Sequence, residues 1–414
     1  MSQPTNRYHL TPYDEFPVHQ SPYPFCVVPS TDYNWDDGYW MGVHSPAHRI
    51  FIGTGLRVNP NSDMVGAYAW INVEGMQRTI RLSRCWRENY ALQVGPLRYE
   101  FLEPLRKIRI VLEPNEADFS FDIIWEGSSP PFLETHHVAV HRCRHTTEQS
   151  RYTQPGRASG QLTYKGKTLS LSQDHWYGTR DHSWGLYAER PPLSPHPRLL
   201  PPRVPSNEPA RALRFWAVMR ADPYSGVFEF HEDKNGIQTA MNDAFGTPFG
   251  GTFHRGWSEE EIPLASATHR LEFEPGTKIL KRASISLIDT RNRPWKAEFE
   301  TATPPWLPVT NGYLPGSWKD GGTIHTYHNA PLAIEWDEFD FSKQPVMHKP
   351  YALKEEDATD TFRFNFDYSK PMQGIEYSCR LKLQSPDGAT YPGAAHVEHL
   401  IVGPYAPYGF TGDE

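Results

Sequence analysis

The stretch "KIRIVLEPNEADFSFDIIWEG", residues 107–127, alternates apolar and polar residues on both sides of a turn. A period of two puts Ile108, Ile110 and Leu112 on one face of an extended strand, and no helix can gather them so. The same grammar recurs. "GQLTYKGKTLSLSQD" predicts a hairpin turning on Lys165-Gly166, and "RASISLIDTRNRPWKAEFE" one turning around Asn292. "DTFRFNFDYSKPMQGIEYSCRLKL" predicts another, turning between Pro371 and Gly374 with Phe362, Phe364 and Phe366 on a buried face. The 39 Pro and 30 Gly punctuate short strands, and 55 aromatic residues (13 Trp, 21 Tyr, 21 Phe) suit sheets and enclosed cavities. Only "SEEEIPLAS" and "YALKEEDATD" suggest helical turns. The fold class expected is all-β.

At 414 residues the chain exceeds what one core usually serves. Residues 190–209, "RPPLSPHPRLLPPRVPSNEP", hold eight prolines, lack the donors for a sheet and favour extended polyproline geometry. They are read as a linker or strap between a domain at 1–189 and one at 210–414. A net charge of −8 and the absence of basic runs argue against a nucleic-acid partner. No apolar run reaches the ~18 residues of a membrane span, and the first residues lack a signal-peptide pattern. Cys26, Cys85, Cys143 and Cys379 are dispersed and never form CxxC, which suits reduced thiols in a cytoplasmic protein. The oligomeric state, a homodimer included, is open.

Chemistry concentrates in "QDHWYGTRDHSWG", residues 173–185. A strand is expected to run into a turn at Gly178-Thr179 and re-enter, with Asp181 and Ser183 on one face and His182 and Trp184 on the other. Two readings stand. Arg180 and Asp181 pin a structural corner through ion pairs while Trp184 fills the core; or Asp181, buried among rings, holds a raised pKa and donates a proton. An acid in an aromatic box is apparatus for adding or removing water on a hydrocarbon, because ring faces stabilise a carbocation without attacking it.

"GTRDHSWG" resembles the G-x-R-D-x-S-W-G signature of proteins grouped with hydroxyneurosporene synthase, the carotenoid hydratase family. "TDYNWDDGYWMGVH", "VGPLRYEFLEPLRKIRIVLEPNEADFSFDI", "RYTQPGRASGQLTYKG" and "AHVEHLIVGPY" are similar to further segments of that family. The resemblance implies two lipocalin-like antiparallel β-barrel or sandwich domains, with a ligand cavity at or between them. It implies Asp181 as the catalytic acid and Trp184 as the motif tryptophan, with His175 and Trp176 as counterparts of an assisting His and Trp. Ser183 stands where the hydratase motif has Asn, and Arg180 precedes the acid.

The reading that follows is a cofactor-independent hydratase or dehydratase of a small lipophilic, terpenoid-like molecule. Asp181 donates the proton, and His175 or His182 tunes it or handles water. Trp176, Tyr177 and Trp184 shape the pocket. Other candidates to line it are Trp35 and Tyr39 of "WDDGYW", where Asp-Asp-Gly also reads as a turn. In the second half they are Trp318, His325 and Tyr327 of "GSWKDGGTIHTYHN", and His396 and Glu398, which share a strand face opposite His399. The alternatives are a pericyclase or isomerase on the same scaffold, where substrate folding does most of the work, and a carrier that leaves its ligand unchanged. No carboxylate pair argues for a glycoside hydrolase. The histidines of "THHVAVHRCRH" (His136, His137, His141, His145) lack the companion ligands of a zinc site, and no metal or cofactor is expected.

Overall fold

The computed structural model of the chain describes residues 15, 17, 21–86, 90–134, 136–141, 143–187, 211–239, 248–258, 260–306, 311–312, 317–342 and 376–412. The proline-rich segment 190–209, the hairpin expected around Phe362, Phe364 and Phe366 up to its turn, and "YALKEEDATD" lie outside them. Among the described residues regular structure is β-strand with short 3₁₀ turns, in two antiparallel units.

The first is a fourteen-stranded sheet. Its first four strands are β1 (Trp35–Ser45), β2 (Ile50–Asn59), β3 (Met64–Val73) and β4 (Met76–Cys85). Then come β5 (Gln93–Val94), β6 (Leu97–Glu103), β7 (Lys107–Leu112) and β8 (Phe119–Gly127). Last are β9 (Phe132–Leu133), β10 (His137–His141), β11 (Arg144–Tyr164), β12 (Lys167–Leu171) and β13 (Tyr177–Tyr187). The second is a closed barrel formed by β14 (Arg211–Ala221), β15 (Tyr224–Asp233), β16 (Phe249–Arg255), β17 (Glu261–Phe273), β18 (Leu280–Asp289), β19 (Pro294–Thr301), β21 (Glu376–Gln384) and β22 (Thr390–Ile401). The fourteenth strand of the sheet, β20 (Leu332–Asp340), comes from between two barrel strands and pairs with β4. The second half of the chain therefore supplies an edge of the first unit.

The hairpins follow the turn chemistry. Lys165 and Gly166 both have positive φ between β11 and β12, and Asn292 (φ 59°) turns β18 into β19. "SEEEIPLAS" does not form a helical turn: β17 starts within it, because Ile262, Leu264 and Ala267 face the barrel core, and that burial outweighs the helix preference of glutamate. "WDDGYW" is not a turn either, but the start of β1.

Nor does the chain turn at Gly178-Thr179. Strand β13 runs straight through the pair, flanked by β1 and β11 along its length. Gly178 is there because Trp125 of β8 lies against the backbone: a Cβ would fall 2.3 Å from its Nε1. Gly178→Ala is expected to cost about 1–3 kcal/mol through overpacking, read as a lower denaturant midpoint with unchanged slope.

The two units have separate apolar cores. The sheet buries Leu56, Ile80, Leu82, Ile108, Trp125 and Trp176, among others, and the barrel is filled by residues such as Phe215, Phe228, Phe230, Leu287 and Phe299. Strand β13 also meets the outside of the barrel, at β14 and β22.

Candidate functional site

Alternation along β13 sorts the motif. Arg180, His182 and Trp184 point to one side. The Arg180 guanidinium lies over the Trp125 and Tyr152 rings and donates to Gln154 Oε1 at 2.8 Å. His182 packs against Tyr39 and Trp184, with Nε2 2.7 Å from Asp37 Oδ1. Thr179, Asp181 and Ser183 take the other side, toward the barrel. Strand neighbours place Asp181 between Trp40 of β1 and Thr153 of β11.

Trp40, Thr153 and Asp181 line a cavity of about 240 Å³ between the sheet and the outer face of the barrel. The barrel wall contributes Arg214, Trp216, Glu229, Glu376, His396 and Glu398. These residues alternate with core residues such as Phe215, Ala217, Tyr377 and Val397, and so face outward. Arg57, Tyr68, Glu134, His137, Arg151 and Asn311 complete the lining. The box is not apolar: five carboxylates and three guanidinium groups share it with Trp40, Tyr68 and Trp216.

Much of this charge is paired. Arg57 donates to Asp36 Oδ1 at 2.7 Å and to Ser183 Oγ at 3.1 Å, with both ion-pair side chains buried. It reaches them across Gly38, where a Cβ would lie 2.4 Å from Arg57 Cγ. Arg214 bonds Glu229, Glu398 and His231. Thr153 donates to Glu134 Oε1 at 2.8 Å. Some groups here remain open: Asp181 Oδ1, His396 Nδ1 and both amide atoms of Asn311 are buried with no hydrogen-bond partner among the described residues, while Glu134 Oε2 and His137 Nε2 lie 3.5 Å from each other. Folded chains satisfy nearly all such atoms, so exceptions that face one cavity mark a place for a polar ligand.

Burial pushes the Asp181 carboxyl above its ordinary 3.8; Arg151 and Arg57 pull it down, and Glu134 and Glu398 push it further up. Arg180, on the far side of the strand, is not its partner. Burial also drives Glu376 well up, aided by Glu398 and Asp181 against Arg214, and drives His396 down to about 4. Glu398 goes the other way, because Arg214 and His396 outweigh its burial.

Of the residues singled out in the sequence, Asp181, His396 and Glu398 meet in this cavity, together with His137 of the histidine-rich strand. The others lie elsewhere. His175 is exposed on the turn before β13, and Trp176 is in the sheet core, stacked on His48. His182, Trp184 and Tyr39 are on the opposite face of the sheet, against Tyr152, Tyr99 and Phe101. Tyr177 sits under Arg220, and Trp35 opens β1 with its carbonyl accepting from Asn59. Trp318 is stacked on His328 and Tyr327 is exposed. His325 lies behind the cavity, bonded to Asn59 and 3.8 Å from Asp36. Among the described residues no group of three or more His, Cys, Asp or Glu side chains is placed to hold a metal ion. No helix among them is long and apolar enough to cross a membrane.

A larger groove, about 780 Å³, lies beside β8 and β14 and is lined by Arg106, Glu126, Arg157, Arg220, Asp222 and Trp257 among others. Five cationic side chains and three carboxylates line it, with pairs such as Arg157–Glu126 and Arg220–Asp222, and Asp222 is exposed. The smaller cavity faces more of the buried groups without a hydrogen-bond partner among the described residues, Asp181 among them, and is the better site.

A family model matches residues 10–345. The chain belongs to a family of unknown function (DUF8625). No curated protein sequence matches it. Among solved structures the DUF8625 chain is similar to kievitone hydratase from Nectria haematococca, at 10% identity and a TM-score of 0.42 over 91% of this chain and 93% of that one. It is also similar to CghA, at 7% identity and a TM-score of 0.42, over 93% of this chain and 96% of that one. CghA with Sch210972 gives the same two values, over 89% of each chain. At such values no activity passes from those proteins to this family member.

Proposed function

We propose that this DUF8625 protein is a cofactor-independent hydratase or dehydratase of a small, oxygenated, terpenoid-like molecule, with Asp181 exchanging the proton at carbon. The observation that carries this reading is Asp181 Oδ1, a buried carboxyl oxygen without a hydrogen-bond partner among the described residues, on a cavity wall beside Trp40. A carboxyl whose pKa burial raises keeps its proton to higher pH and can donate it to an electron-rich alkene. The cation that results would find the ring faces of Trp40, Tyr68 and Trp216 and the excess of carboxylates around it. The resemblance of "GTRDHSWG" to the carotenoid hydratases supports the same assignment, since the matching acid is Asp181.

The cavity also shapes the substrate. About 240 Å³ is below the ~300–1,000 Å³ of sites that enclose a drug-sized ligand, which favours a short isoprenoid unit over a long polyene. The unsatisfied donors and acceptors favour a molecule bearing hydroxyl or carbonyl groups.

The pH profile tests this. Hydration needs Asp181 protonated, so its rate is expected to fall as pH rises through a folded pKa above 3.8, followed as diol formed from geraniol. A rate with no falling limb toward high pH would contradict the assignment.

A further inference from the structure

We propose that Glu376 and His396 form the second acid–base arm of this cavity, passing a proton between the Glu376 carboxyl and the oxygen that the substrate gains or loses. The inference rests on the reading of Asp181 as the group that serves carbon.

The two side chains come from neighbouring barrel strands, β21 and β22, and both line the cavity with Asp181. Glu376 Oε2 and His396 Nε2 are 2.5 Å apart. The ring is held in a fixed plane by a stack of aromatic groups. Trp40 (5.1 Å, 22°) and Trp306 (6.1 Å, 20°) are stacked on it, and Phe51 and Trp216 meet it edge-on. Its second nitrogen, Nδ1, is buried and has no hydrogen-bond partner among the described residues. Burial opposes charge on either group, raising Glu376 and lowering His396. The neutral pair is a carboxylic acid donating to Nε2, and a neutral imidazole that accepts at Nε2 carries its proton on Nδ1. The unpartnered atom is thus an N–H donor waiting for an acceptor.

The chemistry balances between the two arms. In dehydration the Nδ1 proton passes to the substrate hydroxyl, and the C–O bond breaks with its electron pair leaving on water. His396 Nε2 takes the Glu376 proton, which leaves a carboxylate. Ionised Asp181 removes the proton from the neighbouring carbon, and that C–H pair becomes the π bond. Hydration is the reverse: Asp181 gives its proton to carbon, water attacks the cation, and the proton of water returns through His396 to Glu376. One proton is shared between Asp181 and Glu376, as expected of two acids whose charges repel: it sits on Glu376 in the form that dehydrates and on Asp181 in the form that hydrates, and Asp181 is among the groups that raise Glu376. Glu376 acts through His396, and His396 touches the oxygen.

Two isotopes separate the arms. The full-length protein is incubated with geraniol or 3-methylbut-2-en-1-ol in D₂O and, separately, in H₂¹⁸O, and both labels are followed by mass spectrometry. The wild type is expected to place deuterium on carbon and ¹⁸O in the new hydroxyl. Glu376→Gln should lower ¹⁸O incorporation by about 10²- to 10⁴-fold and leave deuterium exchange at carbon unchanged, because the cation forms and then returns its proton to Asp181. A variant that loses both labels equally, or neither, overturns the relay while the reading of Asp181 stands. A wild type that moves neither label, or Asp181→Asn that still exchanges deuterium, overturns the reading of Asp181 and the relay with it. If Glu376→Gln fails to fold by circular dichroism, His396→Gln is put through the same comparison and decides it.

Discussion

Asp181→Asn is expected to lower turnover by about 10²- to 10⁴-fold while leaving ligand affinity nearly intact. The amide keeps the shape of the carboxyl and removes its transferable proton, so kcat falls rather than KM rising. A pericyclase on the same scaffold would retain most of its rate, because folding the substrate in the cavity does the work there. A carrier would show no turnover to lose. The same substitution has a signed effect on stability. A buried acid with a raised pKa destabilises the fold once it ionises: the cost is absent below the ordinary 3.8, grows as pH rises, and is complete above the folded pKa. Asp181→Asn is therefore expected to stabilise the protein near neutral pH and to lose that advantage in acid. Denaturant unfolding at both ends of the range reads this directly, and equal effects at both would contradict a raised pKa.

The largest loss of stability is expected from Arg57→Met. Arg57 and Asp36 form an ion pair with both side chains buried, and Arg57 also holds Ser183 on the strand that carries Asp181. Removing the cation leaves the Asp36 charge in the interior, which costs about 3–5 kcal/mol. Arg57 is also one of the two guanidinium groups that pull the Asp181 pKa down. Its loss should move Asp181 further up and shift the descending limb of the rate profile to higher pH. An unfolding midpoint within error of the wild type would show that the pair does not hold the cavity wall. A profile that does not move would show that Arg57 is not part of the electrostatics of Asp181.

The strands could be read from the sequence because their signal is local. Ile108, Ile110 and Leu112 alternate with polar residues, and Lys165-Gly166 supplies the positive φ of a two-residue turn. Gly178 was harder. A glycine in a strand signals either a turn or a close neighbour, and the neighbour is Trp125, more than fifty residues away. Gly38 misleads in the same way, since the side chain it makes room for belongs to Arg57 of β2. The barrel wall was legible only in part. His396 and Glu398 share a face by simple alternation, but nothing in "GIEYSC" or "RALRFWAVMR" announces that Glu376, Arg214 and Trp216 point out of a barrel toward a second sheet. The aromatic residues next to Asp181 in sequence were the wrong neighbours. A strand sends His182 and Trp184 to the far face, while the rings beside the acid are Trp40, from β1, and Trp216, from the barrel.

The account turns on whether Asp181 is protonated inside the cavity, and the infrared difference spectrum between wild type and Asp181→Asn measures that. Recorded from acid through neutral pH, it should contain the C=O stretch of a protonated carboxyl at pH values above 3.8, giving way to carboxylate bands only as the pH climbs further. A spectrum with carboxylate bands alone throughout the neutral range would mean that Arg151 and Arg57 hold Asp181 ionised, and Asp181 would then not be the acid.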